Sequence, residues 1–565
     1  MSLLGSLQLA RNALTAVDIG LQVAGNNIAN ANTPDYIRQQ AIYTSAPTQK
    51  FGTLTLGLGV EVSAIRQYTD RFLEERLRSA TSDLSSAEAQ EQAYSQLERI
   101  IGELGDSDLS SNLNSFFNSI HDVLNQSESV ATRNLAVIKG QAVADSLSRL
   151  RERVLDERIN LNDEVVSTAS DINRLVQEIA GLNVKIAATE GGDTTASDAI
   201  GLRDQRQRAL TDLAKIVDVQ TYEQPTGAVT VMAGGDFLVA DGVARRVEVA
   251  YSPNDEFDLA AIHISDSRSP IESGSGRLAG LLEARDQVTG GFLEQLDEFS
   301  NSLIYEFNRV FSTGQGLVGN RSLESEFAVN ESGNVLDTAG LKNPPVNGSF
   351  KIQVLDRQTG LTRTTDIAIR LNGLDDDTTL DGLVNALDAV DGISASVTTV
   401  GKLSISAETS NLEFAFSDDS SGVLASLGLA GFFTGTNAGD IGVSAAVRRD
   451  PRLFAASRGG IGKDTNNAVL LANFLDTPLE SADGASIGTL YQNMTTGVFQ
   501  NSATSRSVAE GFRVFQQTLD SQKMSLSGVS IDEEAVRVIT LQRTYQAAAK
   551  YISTISDLLD ILVNL

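Results

Sequence analysis

Both extremes of this chain carry an apolar residue at every third or fourth position, and nothing else in the sequence constrains the fold as tightly. The N-terminal run is Leu3, Leu7, Ala10, Leu14, Val17, Leu21, Ala24 and Ile28, with spacings of four and three in alternation. The C-terminal run is Val538, Leu541, Tyr545, Ala548, Ile552, Ile555, Leu559 and Leu562, alternating in the same way. A helix with that spacing presents one narrow apolar stripe, the seam of a coiled coil. The first helix must end near Asn32-Thr33-Pro34, because proline disfavours helix in the residue before it. Each helix is about 25 residues long, close to the length at which an isolated helix is marginal in water. Two such helices pair most simply with each other or with neighbouring subunits, and periodicity alone does not choose between these. The expectation is that both order on assembly.

The interior alternates between rod-like and β-rich stretches. No proline falls between Pro47 and Pro225, which permits long helices there. A further seam runs through Leu161, Val165, Thr168, Ile172, Leu175, Ile179, Leu182 and Ile186, in a helical pattern starting near Gly140. A shorter helix around Leu84, Tyr94, Leu97 and Leu104 can pack against it, and Leu278 to Phe311 reads as a third helix. Between residues 216 and 270 the pattern changes to short strands, Ala228–Met232 and Arg246–Val249, with turns at Gly234-Gly235 and Asp241-Gly242. Residues 348–446 read as an α+β module. FKIQVLD, TDIAIRL, ISASVTTV and KLSISA are strands, and TLDGLVNALDAV is an amphipathic helix.

These patterns predict an α+β multi-domain protein with terminal coiled-coil helices and an elongated helical bundle, into which β-rich and α+β outer domains are inserted. The expected division is a terminal helix 1–33, a helical body 34–215, a β-rich segment 216–274, a helical return 275–325, an inserted α+β domain 326–445, body again over 446–524, and a terminal helix 525–565.

Composition narrows the function. The net charge of −29 leaves no surplus of Lys and Arg to neutralise phosphates, which argues against nucleic acid and disfavours anionic membranes. With no cysteine, disulfides, thiolate metal sites and cysteine nucleophiles are excluded. The N-terminus lacks a basic region followed by an apolar run, so it does not read as a cleaved signal peptide. No stretch approaches the ~20 apolar residues that span a bilayer.

Motifs that could carry chemistry are weak. Gly314-Gln315-Gly316-Leu317-Val318-Gly319 matches a dinucleotide-binding pattern in letters, but it follows a helix instead of a strand, and reads as a loop. Gly459-Gly460-Ile461-Gly462-Lys463 lacks the residues of a phosphate loop on both sides and reads as a turn. His121 lies beside an apolar Phe116-Phe117-Ile120 face, and His263 falls in an alternating strand; neither has a second ligand at metal-binding spacing. No catalytic, metal or cofactor residue is assigned, and the chain is not expected to be an enzyme.

The first turn, Asn26-Asn27-Ile28-Ala29-Asn30-Ala31-Asn32-Thr33-Pro34-Asp35-Tyr36, resembles the signature of the flagellar rod, hook and hook-associated proteins. The C-terminal Ser527-Gly528-Val529-Ser530-Ile531-Asp532-Glu533-Glu534 and Leu541–Lys550 are similar to the partner motif of the same family. Ser275–Asp286 and Gly462–Ala468 are similar to segments of the hook-associated protein 1 family in particular. One departure is Asp35, where the family usually has glycine; this favours a type I over a type II turn.

The resemblance implies a structural protein of the bacterial flagellum that self-assembles at the hook–filament junction. Its implied partners are further copies of itself in a tube, the flagellar hook protein, the next hook-associated junction protein, and an export chaperone on the C-terminal helix. It also implies secretion without a cleaved signal. The assembly interface would comprise Leu3, Leu7, Leu14, Val17, Leu21 and Ile28 with Val538, Leu541, Tyr545, Ile552, Ile555, Leu559 and Leu562, and the turn motif Asn26, Asn27, Ala29, Asn30, Thr33, Pro34 and Tyr36. The alternatives are another axial component, hook or rod, and a secreted coiled-coil adhesin.

Overall fold

The computed structural model describes residues 3–33, 36–51, 54–102, 108–191, 199–254, 256–271, 274–462 and 464–563. The chain forms two compact units. The first comprises Met1–Ala93, Ile159–Arg285 and Ala503–Leu565, and the second Tyr94–Arg158 and Asp286–Ser502. The architecture is mixed α+β, with long helices and several small sheets, as the sequence patterns predict.

In the first unit, helix α1 (Leu3–Ala29) packs against α13 (Ile531–Val563), the last helix. The sequence reading placed 34–215 in the helical body, but the described residues between 39 and 67 form four strands. Strand β1 (Gln39–Ser45) pairs antiparallel with β4 (Val60–Gln67), and β2 (Thr48–Phe51) with β3 (Leu54–Gly57). The β-branched and aromatic Ile42, Tyr43, Val60, Val62 and Ile65 suit a pleated surface better than a helix. Helix α2 (Arg71–Ile101) buries Leu73, Leu77 and Ala80 against Leu519 of α12 (Ile487–Ser527). Helix α4 (Val130–Glu190) starts well before Gly140, and α5 is Ile200–Ile216.

The β-rich segment of this unit holds a sheet of β5 (Gln220–Glu223), β6 (Val229–Ala233), β7 (Asp236–Ala240) and β8 (Val243–Ala244), and a ladder of β9 (Val247–Ser252) with β10 (Leu259–Ile264). Both predicted turns are present. Gly234 and Gly235 have φ of 57° and 85°, and Asp241 and Gly242 have 49° and 78°, so each two-residue loop carries two left-handed residues and continues the strand twist.

Three asparagines tie these strands to α4. Asn162 accepts from the Ala260 N–H at 2.8 Å. Asn173 accepts from the Val247 N–H at 2.9 Å and donates to its carbonyl at 2.8 Å, and Asn183 does the same with Val229 at 3.0 and 2.7 Å. A side-chain amide carries both N–H donors and an acceptor oxygen, so it can satisfy a strand residue as a neighbouring strand would.

The Leu278–Phe311 stretch is helical throughout but not uniform. It runs as α6 (Arg277–Glu283), a π-helical turn (Ala284–Gly290) and α7 (Gly291–Phe311).

The second unit is organised on phenylalanine. Phe116 and Phe117 of α3 (Leu109–Asn125) meet Phe307 and Phe311 of α7, together with Phe432, Phe433, Phe454 and Phe474. The ring of Phe307 lies 5.3–5.5 Å from those of Phe116, Phe432, Phe433 and Phe474, in tilted or edge-on geometries that aromatic quadrupoles favour. Asn308 repeats the amide clasp, accepting from the N–H groups of Phe432 and Phe433 and donating to the Phe433 carbonyl.

The same unit contains the α+β module, whose four predicted strands and helix are all found. Strand β12 (Gly348–Asp356) lies between β13 (Thr362–Ile369) and β16 (Leu412–Ser417). A second sheet orders β11 (Ser322–Glu324), β15 (Leu403–Ala407) and β14 (Ile393–Val397). Helix α8 (Leu380–Asp388) is capped by the Thr379 hydroxyl and buries Leu380, Leu383 and Leu387 in the module's core with Phe350, Ile352 and Phe414. Strands β11 and β16 carried no separate signal in the sequence reading. Short elements complete the unit: α9 (Val423–Leu427), the β17–β18 ladder (Phe433–Thr434 with Gly442–Val443), α10 (Ala445–Arg449) and α11 (Asn466–Ala472).

Candidate assembly interface at the paired terminal helices

Helices α1 and α13 run antiparallel. Asn27 hydrogen-bonds Glu534, and a Cβ on Gly20 would lie 3.2 Å from Leu541, one heptad further along each helix in opposite directions. On α1 the seam residues Ala10, Val17 and Ala24 are buried, Leu14, Leu21 and Ile28 half-buried, and Leu7 exposed. On α13, Ile555 is buried, Val538, Leu541, Ala548, Ile552 and Leu559 are half-buried, and Tyr545 is exposed. The side chains of Leu3 and Leu562, and Pro34 with Asp35, lie outside the described residues, and so does the turn type assigned to them.

The two motifs from opposite ends of the chain meet in one buried polar cluster. Asn27 and Glu534 are both 0% exposed. The Asn27 amide donates to the Gln39 carbonyl at 2.9 Å and to Glu534 Oε2 at 3.2 Å, and it accepts from the Gln39 N–H and the Tyr36 hydroxyl, both at 3.0 Å. Arg38 Nε and Nη2 donate to Glu534 Oε1 at 2.9 and 2.6 Å, while its Nη1 lies 3.0 Å from Glu533. The Arg38 N–H also donates to the Ser527 carbonyl at 2.9 Å. The segment after α1 is thereby fixed to the segment before α13.

The remaining motif residues shape the end of α1. The Asn30 amide donates to Asn26 Oδ1 at 2.9 Å, the Thr33 hydroxyl donates to Asn30 Oδ1 at 3.2 Å, and the Tyr36 N–H closes onto the Thr33 carbonyl at 3.2 Å. Ala29 is exposed at the helix end.

Electrostatics follow the burial. Burial works against the Arg38 charge, but the hydrogen bond and attraction of Glu534, and then of Glu533, outweigh it and hold its pKa above the ordinary value. Burial, with the nearby Asp204 and Glu534 carboxylates, pushes the Tyr36 phenol up to about 12.

A second apolar stripe on α13 was missed by the sequence reading. Val536, Ile539, Tyr551, Leu558 and Ile561 are 64%, 50%, 41%, 49% and 60% exposed. At 3.6 residues per turn Val536, Ile539 and Ile561 fall well away from the seam, and Tyr551 and Leu558 flank it. A search for one stripe stops at the seam. The available signal was the excess of Val, Ile, Leu and Tyr that the seam left over.

Other sequence-selected residues have packing explanations. In Ser275–Asp286, a Cβ on Gly276 would lie 2.6 Å from the Ile216 carbonyl oxygen, and one on Gly280 would lie 2.4 Å from that of Ser86. Only glycine lets α6 approach α2 so closely. In the loop after α7, a Cβ on Gly314 would meet Asn467 at 2.1 Å and one on Gly316 would meet the Arg452 carbonyl oxygen at 2.3 Å. In the Gly459–Asp464 turn, the N–H groups of Arg458, Gly459 and Asn466 all donate to the Asp464 carboxylate. The chain's own anion thus occupies the place a phosphate would take. His121 is exposed, and His263 is half-buried between the buried Ile262 and Ile264. Among the described residues no group of three or more His, Asp or Glu is placed to hold a metal, and no helix is long and apolar enough to cross a membrane.

Comparison with known proteins matches three parts of the chain. Residues 94–325 match the flagellar hook-associated protein FlgK helical domain, residues 7–36 the flagella basal body rod protein family, and residues 521–565 the flagellar basal body rod FlgEFG protein C-terminal family. The last two contain the motifs that meet at Asn27 and Glu534. Flagellar hook-associated protein 1 of Bacillus subtilis is 26% identical over 99% of this chain and 97% of its own length. That of Salmonella typhimurium is 25% identical over 98% and 99%, and that of Escherichia coli 24% identical over 98% and 98%. The fold is similar to that of the flagellar hook junction protein FlgK from Burkholderia pseudomallei, with a TM-score of 0.50 and 15% identity over 80% of this chain and all of that one. Along nearly its whole length, this chain is similar to flagellar hook-associated protein 1.

Proposed function

We propose that this chain is a structural subunit of the bacterial flagellum that self-assembles at the hook–filament junction and connects hook to filament. The observation that carries the proposal is the two-faced α13. One face is partly closed against α1, and the surface beyond it leaves Val536, Ile539, Tyr551, Leu558 and Ile561 uncovered. A free apolar stripe along a terminal helix is costly in a lone monomer and useful in a lattice of copies. Fully burying one Leu, Ile or Val side chain contributes roughly 1.5–3 kcal/mol, so several on one stripe supply a substantial part of a subunit contact.

In this reading residues 1–33 and 525–565 form the inner layer of a tube, and the 216–274 and 326–445 regions project outward. The hook protein lies on one side and the next hook-associated protein on the other. An export chaperone covers α13 before secretion, which proceeds through the flagellar export apparatus without a cleaved signal. The work done is assembly, with no catalytic step, nucleic acid or membrane insertion.

The test is electron microscopy of the source bacterium with this gene deleted, with an assay of its medium. Hooks of normal length without filaments, and filament subunits shed into the medium, are expected. Intact filaments would overturn the proposal, and absent or shortened hooks would move the subunit to the hook or rod.

A further inference from the structure

A heptad seam fixes which faces of two helices meet but does not fix their register, because a slide of seven residues restores the same apolar contacts. The α1–α13 seam has this weakness, since its residues repeat at three and four along both helices. Polar contacts do not repeat in this way. Glu534 is fully buried at one point of the pair, held by Asn27 of α1 and by Arg38 in the segment leading into β1. A one-heptad slide would bring Glu534 opposite Gly20 in one direction and beyond the end of α1 in the other. In either place the carboxylate loses Asn27 and Arg38 and keeps only Arg537 of its own helix, at 3.6 Å, and a buried charge so incompletely paired is disfavoured.

We propose that Glu534, with Arg38 and Asn27, is the register key of the terminal helices. It selects one alignment of α13 on α1, and so determines which α13 side chains are offered on the free stripe. The cluster is a positioning device, because its contacts join one segment of the chain to another. Its value for assembly rests on the junction-subunit reading, but the register itself is a property of the single chain.

The chain contains no cysteine, so introduced pairs report register cleanly. Continuing the step from Asn27–Glu534 and Gly20–Leu541 places Ala13 opposite Ala548. Three double variants are oxidised at high dilution: Ala13→Cys with Ala548→Cys for the native register, and Ala13→Cys with either Leu541→Cys or Ile555→Cys for the two slipped ones. Intramolecular cross-links are scored on non-reducing gels and by mass spectrometry, with helicity followed by circular dichroism.

In the parent chain, the native pair is expected to dominate. With Glu534→Leu, which removes the polar constraint but keeps an apolar seam, slipped pairs are expected to rise from about one tenth to about half of the cross-linked product at unchanged helicity. Arg38→Met should raise them less, because Asn27 still holds the carboxylate. Native cross-linking unchanged in both variants would overturn the proposal, as would abundant slipped pairs in the parent. If Glu534→Leu loses helicity, Arg38→Met and the isosteric Glu534→Gln are read instead. Loss of helicity in all three would assign the cluster to stability alone and overturn a register role. Failure of the gene-deletion test leaves this result standing, since the cross-links are read on the monomer.

Discussion

The phenylalanine cluster of the second unit and the helix pair of the first bury apolar surface to opposite ends. Around Phe307 stand the buried rings of Phe116, Phe117, Phe311, Phe432, Phe433 and Phe474, and the Asn308 clasp satisfies the backbone of Phe432 and Phe433 that passes through. At the termini the seam is only partly closed, a charged cluster sits inside it, and a second stripe faces outward. The first region is finished within one chain. The second is aligned but left incomplete, as suits a surface to be completed by other copies. The contrast predicts that substitutions in the first region will be read in stability, and those in the second in local order and assembly.

The largest effect is expected from Phe307→Ala. It removes a ring with no exposure from the centre of a packed cluster, and such truncations cost about 3–5 kcal/mol. Denaturant unfolding followed by circular dichroism should show the loss in the second unit. A change below about 1 kcal/mol would break the comparison, because it would mean that the cluster repacks freely.

Arg38→Met comes next. It leaves the Glu534 carboxylate buried with Asn27 and, at 3.6 Å, Arg537 as its remaining partners. Breaking a buried pair from one side costs about 3 kcal/mol, less where other partners remain. The loss should be local: faster amide hydrogen exchange in α1 and α13, with protection of α3 and α7 unchanged. Equal loss of protection everywhere would show that the termini are integral to the whole fold.

How much of this was legible depends on the period of the signal. The terminal seams, the Gly234-Gly235 and Asp241-Gly242 turns and the strands of the α+β module are local patterns, and the structure contains them. The β1–β4 ladder had a local signal that went unused: Leu54, Leu56, Leu58, Val60 and Val62 alternate with Thr55, Gly57, Gly59, Glu61 and Ser63 at the strand period, in a stretch flanked by strong helices. Asn162, Asn173 and Asn183 look like ordinary polar positions on a helix, and their role appears only when strands from over 40 residues away arrive beside them. Likewise, Asn27 and Glu534 were each visible in a motif, but their meeting joins positions 507 residues apart, beyond any local pattern.

A matched pair of glycines sharpens the comparison at smaller cost. A Cβ on Gly140 would lie 2.5 Å from the Phe432 ring and 3.0 Å from that of Phe116, both fully buried. Gly140→Ala should therefore destabilise by about 1–3 kcal/mol through overpacking. A Cβ on Gly20 would meet the Tyr43 hydroxyl at 2.3 Å, but Tyr43 is 44% exposed and can swing away, leaving Leu541 at 3.2 Å. Alanine also gains up to about 1 kcal/mol of helix propensity, so Gly20→Ala should be close to neutral. Equal costs at both sites, measured by thermal unfolding, would mean that the terminal pair is as tightly packed as the aromatic core.

Alkaline titration probes the same difference through Tyr36. Its phenol is pushed up to about 12, so the folded state favours the neutral form more than the unfolded state does. The stability this contributes is fully present below about pH 10 and is lost as pH rises towards 12. Denaturant stability of the α1–α13 pair, followed by circular dichroism, should fall over that window and fall less in Tyr36→Phe, which has no phenol to ionise. A pH response identical in the two chains would remove Tyr36 from the cluster's energetics.

The smallest effect on the monomer is expected on the free stripe of α13. Leu558 is 49% exposed and Ile539 50%, so Leu558→Ser and Ile539→Ser should each change monomer stability by no more than about 0.5 kcal/mol. Assembly should respond differently. Each substitution removes a side chain that the single chain leaves exposed and the proposed assembly would bury, so sedimentation of purified protein under assembling conditions should shift towards monomer, further in the double variant. Leu14→Ser and Ile552→Ser, half-buried in the closed seam, provide the control, since they should loosen the helix pair before they affect association. If the stripe variants assemble like the parent while the seam variants do not, the outward face of α13 is not the contact surface, and the seam itself must open to engage neighbouring copies.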